Sequence, residues 1–177
     1  MSERVFLGLG SNCNREQNLL AALRMLREAF GVLRVSPVYS SEPHPALSLP
    51  TLEPERQHYF NLVVEIRTDL PVVTLKKRLL EIERACGRVR GTRMLACPQD
   101  IDILLYGDVV GEVDGMAFPH PDIDRCAFVL LPLSQLAPTA LHPRLRQSFA
   151  ELWRAFDATA QPLTEVSLER SDAAMSG

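Results

Sequence analysis

The stretch 97-CPQDIDILLYGD-108 sets two acids one residue apart at the head of an apolar run. Asp100 and Asp102 flank Ile101, and Ile103, Leu104, Leu105 and Tyr106 follow before Gly107 ends the pattern. A short branched apolar run bounded by turn formers reads as a buried strand. Side chains two apart on a strand share a face, so both carboxylates point the same way, with Cα atoms roughly 6–7 Å apart. Unpaired, two such charges repel and one pKa rises. Two readings stand side by side. One is a solvated strand end with two surface acids; the other is a seat for a hard cation, since Mg²⁺ takes one or two carboxylates together with substrate phosphates.

Working outward, 59-YFNLVVEIRT-68 is a further strand, and Pro71 suits the first turn of a helix. Leu75, Leu79, Ile82 and Cys86 mark that helix's buried stripe, which ends at Gly87. At the start, 4-RVFLGLGSN-12 alternates Val5, Leu7 and Leu9 and closes on Gly10 as a first strand. Asn14 with Gln17 resembles a capping box, and Leu19, Leu20, Leu23, Leu26 and Phe30 place a helix over 15–30, stopped by Gly31. A second strand lies in 32-VLRVSPVYS-40, where Pro37 implies an edge or a bulge. The order strand, helix, strand, strand, helix, strand is a split βαβ. It predicts an α+β, ferredoxin-like sandwich with a largely antiparallel sheet and helices packed on one face.

Between these elements, residues 40–58 carry Pro43, Pro45, Pro50 and Pro54 and are expected to be an irregular loop, a kind that is usually functional or disordered. Residues 87–99 form a second loop with Arg88, Arg90 and Arg93. Further on, 127-AFVLLPLSQLAP-138 suggests a third helical segment and 148-SFAELWRAF-156 a small final helix. Residues 1–160 are expected to be one domain, and 161–177 a polar, frayed tail.

At 177 residues, 46% hydrophobic and 23% charged, the chain has the makings of one soluble domain with a real core. Nineteen basic against twenty-two acidic residues give a net charge of −3, which argues against a protein that coats nucleic acid or an anionic membrane. No apolar stretch approaches the ~18 residues of a membrane span. The opening MSERVFLGLGSN enters a strand pattern at once, without the charged and apolar regions of a secretory leader, so a cytoplasmic protein is expected. Cys13, Cys86, Cys97 and Cys126 are widely spaced, and free thiols are the expectation. Joined with His44, His58, His120 or His142 they show no zinc-ligand spacing.

Several residues suggest phosphate and ring chemistry. Guanidinium groups at Arg88, Arg90 and Arg93, upstream of paired acids, are what a polyphosphate demands; the plainer reading is a solvated basic loop. The glycines of GLGSN lack the third glycine of a dinucleotide fingerprint and the lysine of a P-loop, and instead let a backbone or flat ligand approach closely. Tyr59 and Asn61 share a strand face, as core and edge or as a stacking ring with an amide for a heterocycle. His120, between two prolines in FPHPD, is either a structural histidine or a donor to phosphate.

Taken in order over residues 4–138, GLGSN, YSSEP, YFNLVVEI, LLEIERACGRVR, DIDILLYG, FPHPDI and AFVLLPLSQLAP resemble the 6-hydroxymethyl-7,8-dihydropterin pyrophosphokinases. The resemblance implies the same ferredoxin-like fold and transfer of pyrophosphate from ATP to the pterin hydroxymethyl group, releasing AMP, in folate or methanopterin-type biosynthesis. It implies that Asp100 and Asp102 hold two Mg²⁺ ions between the ATP phosphates and the pterin hydroxyl. Tyr59 and Phe128 would sandwich the pterin, with Asn61 and the segment Ser41, Glu42 and Pro43 on its hydrogen-bonding edge. Glu83, Arg88, Arg90, Arg93, Ile103, His120 and Arg125 would serve ATP, with Arg88 and Arg90 also catalytic. Partners would be these two small molecules alone, and the protein a monomer.

The chain also departs from the family pattern. A family arginine before the paired acids falls on Cys97, and an aromatic on Met94. A second arginine falls on Cys126, with Arg125 displaced by one, and a glutamine falls on Leu80. The resemblance therefore implies intact metal and pterin ends with an altered phosphate clamp, and slow turnover unless Arg93 and Arg125 substitute. The alternative is an impaired paralogue that binds a pterin or nucleotide. An RNA-binding module on this fold needs a basic sheet with exposed aromatics, which the charge and the strand acids oppose.

Overall fold

The computed structural model describes residues 1–42, 58–87 and 99–168. Strand β1 (Glu3–Ser11) pairs antiparallel with β4 (Tyr59–Thr68) on one side and with β5 (Asp100–Tyr106) on the other. The strand expected over 32–40 is split into β2 (Arg34–Val35) and β3 (Val38–Ser41), both antiparallel to β4. Pro37, which lacks an N–H, sits in the gap. There the Ser36 hydroxyl accepts from Val63 N (2.9 Å) and donates to the Pro37 carbonyl (2.8 Å).

The sheet order is β5-β1-β4-β3 followed by a last strand, β8 (Leu163–Val166), with β2 also on β4. Strand β8 corrects the expectation of a frayed tail for those residues, because it pairs antiparallel with β3; residues 169–177 lie outside the described residues. A hairpin absent from the expectations, β6 (Gly111–Val113) and β7 (Met116–Phe118), turns at Asp114 and Gly115, both at positive φ (50° and 76°). Asp-Gly is the usual signal for that turn.

Helices α1 (Arg15–Phe30) and α2 (Val72–Ala85) cover one face. Leu19, Ala22 and Leu26 of α1 and Leu75, Leu79 and Ile82 of α2 meet Leu7, Leu9, Leu62, Val64, Ile101 and Ile103. That is the expected ferredoxin-like frame. The other face is covered too, by α3 (Asp122–Arg125), α4 (Ala127–Leu136) and α5 (Phe149–Ala155). Ile123, Val129, Leu130, Leu133 and Phe149 pack there on Phe6, Val63, Leu104 and Leu105. The unbroken burial of residues 61–66 in β4 requires this double cover.

The expected capping box at Asn14 does not form. Asn14 lies in the left-handed region (φ 43°) and makes no side-chain cap, whereas Asn18 Nδ2 donates to Cys13 O at 2.6 Å. The box that does form is Ser148 with Glu151, at the head of α5. Among the described residues no helix is long and apolar enough to cross a membrane.

On the α4 face, away from the paired acids, Glu65 ties the sheet together. Arg4 donates to it from Nε (2.8 Å) and Nη2 (3.0 Å), and Arg34 from Nη1 (2.6 Å). Arg34 Nη2 also donates to Leu136 O (2.9 Å) at the end of α4. Burial raises the Glu65 pKa, but the two arginines outweigh it and the net shift is downward. A lowered carboxylate stabilises the fold above its unfolded pKa, and that contribution is lost as pH falls through the folded value. Glu65→Gln is expected to cost about 1–3 kcal/mol at neutral pH. The gap to the parent should shrink below about pH 4; urea melts at pH 7 and pH 3.5 measure both.

Candidate active site

Three strand ends meet on the α4 side of the sheet. In β5, Ile101 and Ile103 point into the α1–α2 core, so Asp100 and Asp102 point the other way. In β4, Leu62 faces that same core and Val63 the α4 side, so Asn61 and Tyr59 share the acids' face. Between them runs β1, with Gly8 opposite both Asp102 and Val63, and Gly10 opposite both Asp100 and Asn61. Strands lie ~4.8 Å apart, so acids and amide stand roughly 10 Å apart across a floor without side chains.

A methyl group on Gly10 would lie 3.2 Å from Asn61 Oδ1 and 3.9 Å from the Tyr59 ring, and one on Gly8 3.3 Å from Leu104. Gly10 thus leaves room for a trough with carboxylates on one wall and an amide and phenol on the other, while the space over Gly8 is taken by Leu104. Phe128, half-buried near the start of α4, packs on the same side. Asn61 is fixed from behind, since its Nδ2 donates to the buried Ser41 hydroxyl at 2.8 Å. Glu42 follows, exposed.

The acid wall is electrostatically loaded. Burial, then the neighbouring Asp100 charge, push Asp102 up to about 7, partly offset by Lys76. The pair shares a hydrogen bond, as two carboxylates with one proton between them do. The peptide between them is clamped from α2. Glu83 Oε1 accepts from Ile101 N at 2.7 Å, and Lys76 Nζ donates to Ile101 O at 3.2 Å. These contacts also cover the outer edge of β5, which no strand pairs among the described residues. From the other side Gln99, fully buried, donates to Gly10 O (3.3 Å) and Asp100 O (3.1 Å).

His120 joins the site through its backbone, its N–H donating to Leu104 O at 2.9 Å. Its Nδ1 accepts from Asp122 N at 3.2 Å, so in the neutral ring the proton sits on Nε2. Burial lowers its pKa, against the Asp122 and Asp100 charges. Arg125 lies exposed at the end of α3.

The structure therefore brings Asp100, Asp102, Tyr59, Asn61, Ser41 and Phe128 to one side of the sheet, with His120 held to β5. It does not bring the side chain of Ile103, which is 5% exposed in the α1–α2 core, nor that of Glu83, which is 1% exposed and engaged with β5. Pro43, Arg88, Arg90, Arg93 and Cys97 lie outside the described residues. Sequence reasoning missed Lys76 and Gln99. A lysine one heptad before Glu83, on the same helix face, was the available signal for the first.

Comparison with known proteins identifies the family and the fold. Residues 6–138 match the model of the family described as 7,8-dihydro-6-hydroxymethylpterin-pyrophosphokinase. The 2-amino-4-hydroxy-6-hydroxymethyldihydropteridine pyrophosphokinase of Haemophilus influenzae is 33% identical over 155 residues, covering 85% of this chain and 91% of that protein. The Folic acid synthesis protein FOL1 of Dictyostelium discoideum is 33% identical over 142 residues, which is 80% of this chain but 20% of that much longer protein. In structure, the Plasmodium falciparum HPPK-DHPS wild type superposes with a TM-score of 0.65 at 14% identity, over 88% of this chain and 45% of that one. At that identity the likeness speaks for the fold.

Proposed function

Since the chain belongs to the 7,8-dihydro-6-hydroxymethylpterin-pyrophosphokinase family, we propose that it transfers pyrophosphate from ATP to 6-hydroxymethyl-7,8-dihydropterin. The pterin hydroxymethyl oxygen would bond to the β-phosphorus while the bond from that phosphorus to the α-phosphate oxygen breaks, giving the pterin diphosphate and AMP. The observation that carries the reading is the glycine-floored trough. A flat ring fits where no Cβ intrudes, Tyr59 and Phe128 offer faces for stacking, and Asn61, oriented by Ser41, offers an amide to a heterocycle edge. The acids at the far wall then stand where the transferred phosphates would lie. The name of the Dictyostelium relative supports folate as the destination over a methanopterin-type carrier.

Asp100 and Asp102 fit Mg²⁺. Two carboxylates on one face, so close that one holds a proton near neutrality, are hard oxygen donors. Among the described residues no group of three or more ligand side chains exists, which suits an ion whose remaining positions are filled by water and phosphate. When bound, the metal supplies charge neutralisation on the phosphate oxygens. The chain's own part is to hold the acids in register through Glu83, Lys76 and Gln99, to seat the ring, and to place the His120 Nε2 proton near the acids. The free thiols of Cys13, Cys86 and Cys126 suit a reducing compartment such as the cytoplasm.

The deciding assay is formation of AMP and pterin diphosphate from ATP, Mg²⁺ and the hydroxymethyl-dihydropterin, followed by chromatography. Binding of both ligands without AMP would favour the impaired paralogue. Metal binding must also displace the shared proton. The apparent Mg²⁺ affinity should therefore fall about tenfold per pH unit below pH ~7 and level off above it. Calorimetric titrations at pH 6, 7 and 8 test this, and a flat profile would remove the pair as the metal seat.

A further inference from the structure

The segment running from Gln161 into β8 lies beyond the residues matched by the family model, which end at 138, yet it touches both the helix that carries Phe128 and the strand beside Asn61. Gln161 spans the junction of α3 and α4. Its Oε1 accepts from Ala127 N at 2.8 Å and its Nε2 donates to Arg125 O at 2.9 Å. Two residues later β8 begins and pairs with β3, Leu163 opposite Ser41 and Thr164 opposite Ser40. Ser41 is the residue whose hydroxyl orients Asn61. One short stretch of chain therefore holds the helix that presents Phe128 and the strand that fixes Asn61.

The helix needs that hold. The first N–H groups of a helix have no intrahelical partner, and the residue preceding α4, Cys126, makes no side-chain cap. Gln161 supplies a cap from 34 residues away. A second weakness falls on the same turn. Pro132 lies inside α4, and a proline gives no N–H to the carbonyl four residues earlier. That carbonyl belongs to Phe128. The turn bearing the aromatic thus lacks both its local cap and the bond that would close on Phe128, and the Gln161 amide fastens it from outside. The far end of α4 is tied separately, where Tyr39 Oη donates to Gln135 Oε1 at 2.7 Å.

We propose that Gln161 is a positioning residue for Phe128, and that the Gln161–Val166 segment is a strap setting the spacing between Phe128 and Asn61 for a flat heterocycle. The inference rests on the pterin reading above. It separates ring binding from nucleotide binding, because the strap does not touch the acid wall and holds Arg125 only by its carbonyl.

The test compares wild type, Gln161→Leu, Gln161→Glu, Phe128→Ala and the Phe128→Ala/Gln161→Leu double variant in the full chain. Dissociation constants for 6-hydroxymethyl-7,8-dihydropterin and for ATP are measured by calorimetry, with thermal midpoints alongside. Gln161→Leu should weaken pterin binding about tenfold and ATP binding less than twofold. Gln161→Glu, which keeps the acceptor for Ala127 N and loses the donor to Arg125 O, should fall between it and wild type. The double variant should bind pterin no worse than Phe128→Ala alone, because a residue acting through Phe128 has nothing left to position. A folded Gln161→Leu with wild-type pterin affinity, or additive losses in the double variant, would overturn the strap. Should Gln161→Leu not fold, wild-type pterin affinity in Gln161→Glu would overturn it instead. If the strap alone is wrong, Phe128→Ala still loses pterin; absence of pterin binding by the wild type would overturn both readings.

Discussion

Asp102→Asn is expected to abolish pyrophosphate transfer and, in the same protein, to raise the thermal midpoint of the metal-free fold. The two effects share one cause. Burial and the adjacent Asp100 charge push Asp102 from an ordinary 3.8 up to about 7. A carboxylate whose folded pKa exceeds its unfolded one binds an extra proton in the native state. Stability therefore falls as pH rises between about 4 and 7 and stays lower above. Above that window the ionised acid costs the fold a few kcal/mol, an order-of-magnitude figure from the size of the shift. An amide of the same shape removes that cost and with it an oxygen ligand for the cation. Loss of electrostatic stabilisation at such a position costs ~3 kcal/mol or more of barrier, at least about a hundredfold in rate. Melting curves at pH 8 without divalent metal, paired with AMP release under saturating substrates, check both halves. A variant that turns over at the wild-type rate, or melts below the wild type, would refute the assignment of Asp102 as a strained metal ligand.

Arg125→Ala is expected to slow turnover by roughly ten- to a hundredfold, the worth of charge-assisted hydrogen bonds to a phosphate, with little change in pterin affinity. Restoring the family arginine next door should not help. Residue 126 lies between α3 and α4 with its side chain in the apolar cluster around Ile123 and Val129, and burial, then Asp122, push its thiol up to about 11. A guanidinium there must displace packed neighbours, so Cys126→Arg should lose about 1–3 kcal/mol of stability without gaining rate. Arg125 is exposed and has the reach that Cys126 lacks. Single-turnover measurements with ATP bound at saturation distinguish these outcomes. Wild-type rates in Arg125→Ala together with faster turnover in Cys126→Arg would show that the clamp belongs at position 126.

The alternation of apolar residues was enough to locate β1, β4 and β5, and the period of two put Asp100 beside Asp102 and Tyr59 beside Asn61. What could not be read is which side of the sheet each pair occupies relative to the helices. That choice depends on α3, α4 and α5 covering a second face, which periodicity in α4 does not announce, because seven of its ten residues are buried. Asn14 and Gln17 have the residue types of a capping box, yet the backbone at Asn14 is left-handed and points the side chain elsewhere. The partners of Glu83 and Gln161 are backbone groups 18 and 34 residues away, and no local pattern encodes such a pairing.

The register of β1 and β5 shifts by one between Phe6 and Leu7: Phe6 stands opposite Leu105 and Leu7 opposite Ile103. Leu104 is the surplus residue, and both it and Leu105 reach the α4 side. Odd and even positions therefore exchange meaning at Leu104. Below it even numbers face α4; above it odd numbers do. A one-residue deletion at this point would restore a regular ladder with the acids and Leu105 still on the α4 side, so what the extra residue adds is Leu104 itself, placed over Gly8. The carbonyl of that same surplus residue takes the His120 amide. The irregularity is thus the hook on which the histidine hangs, and losing that residue would dislodge His120 while leaving the acids in place.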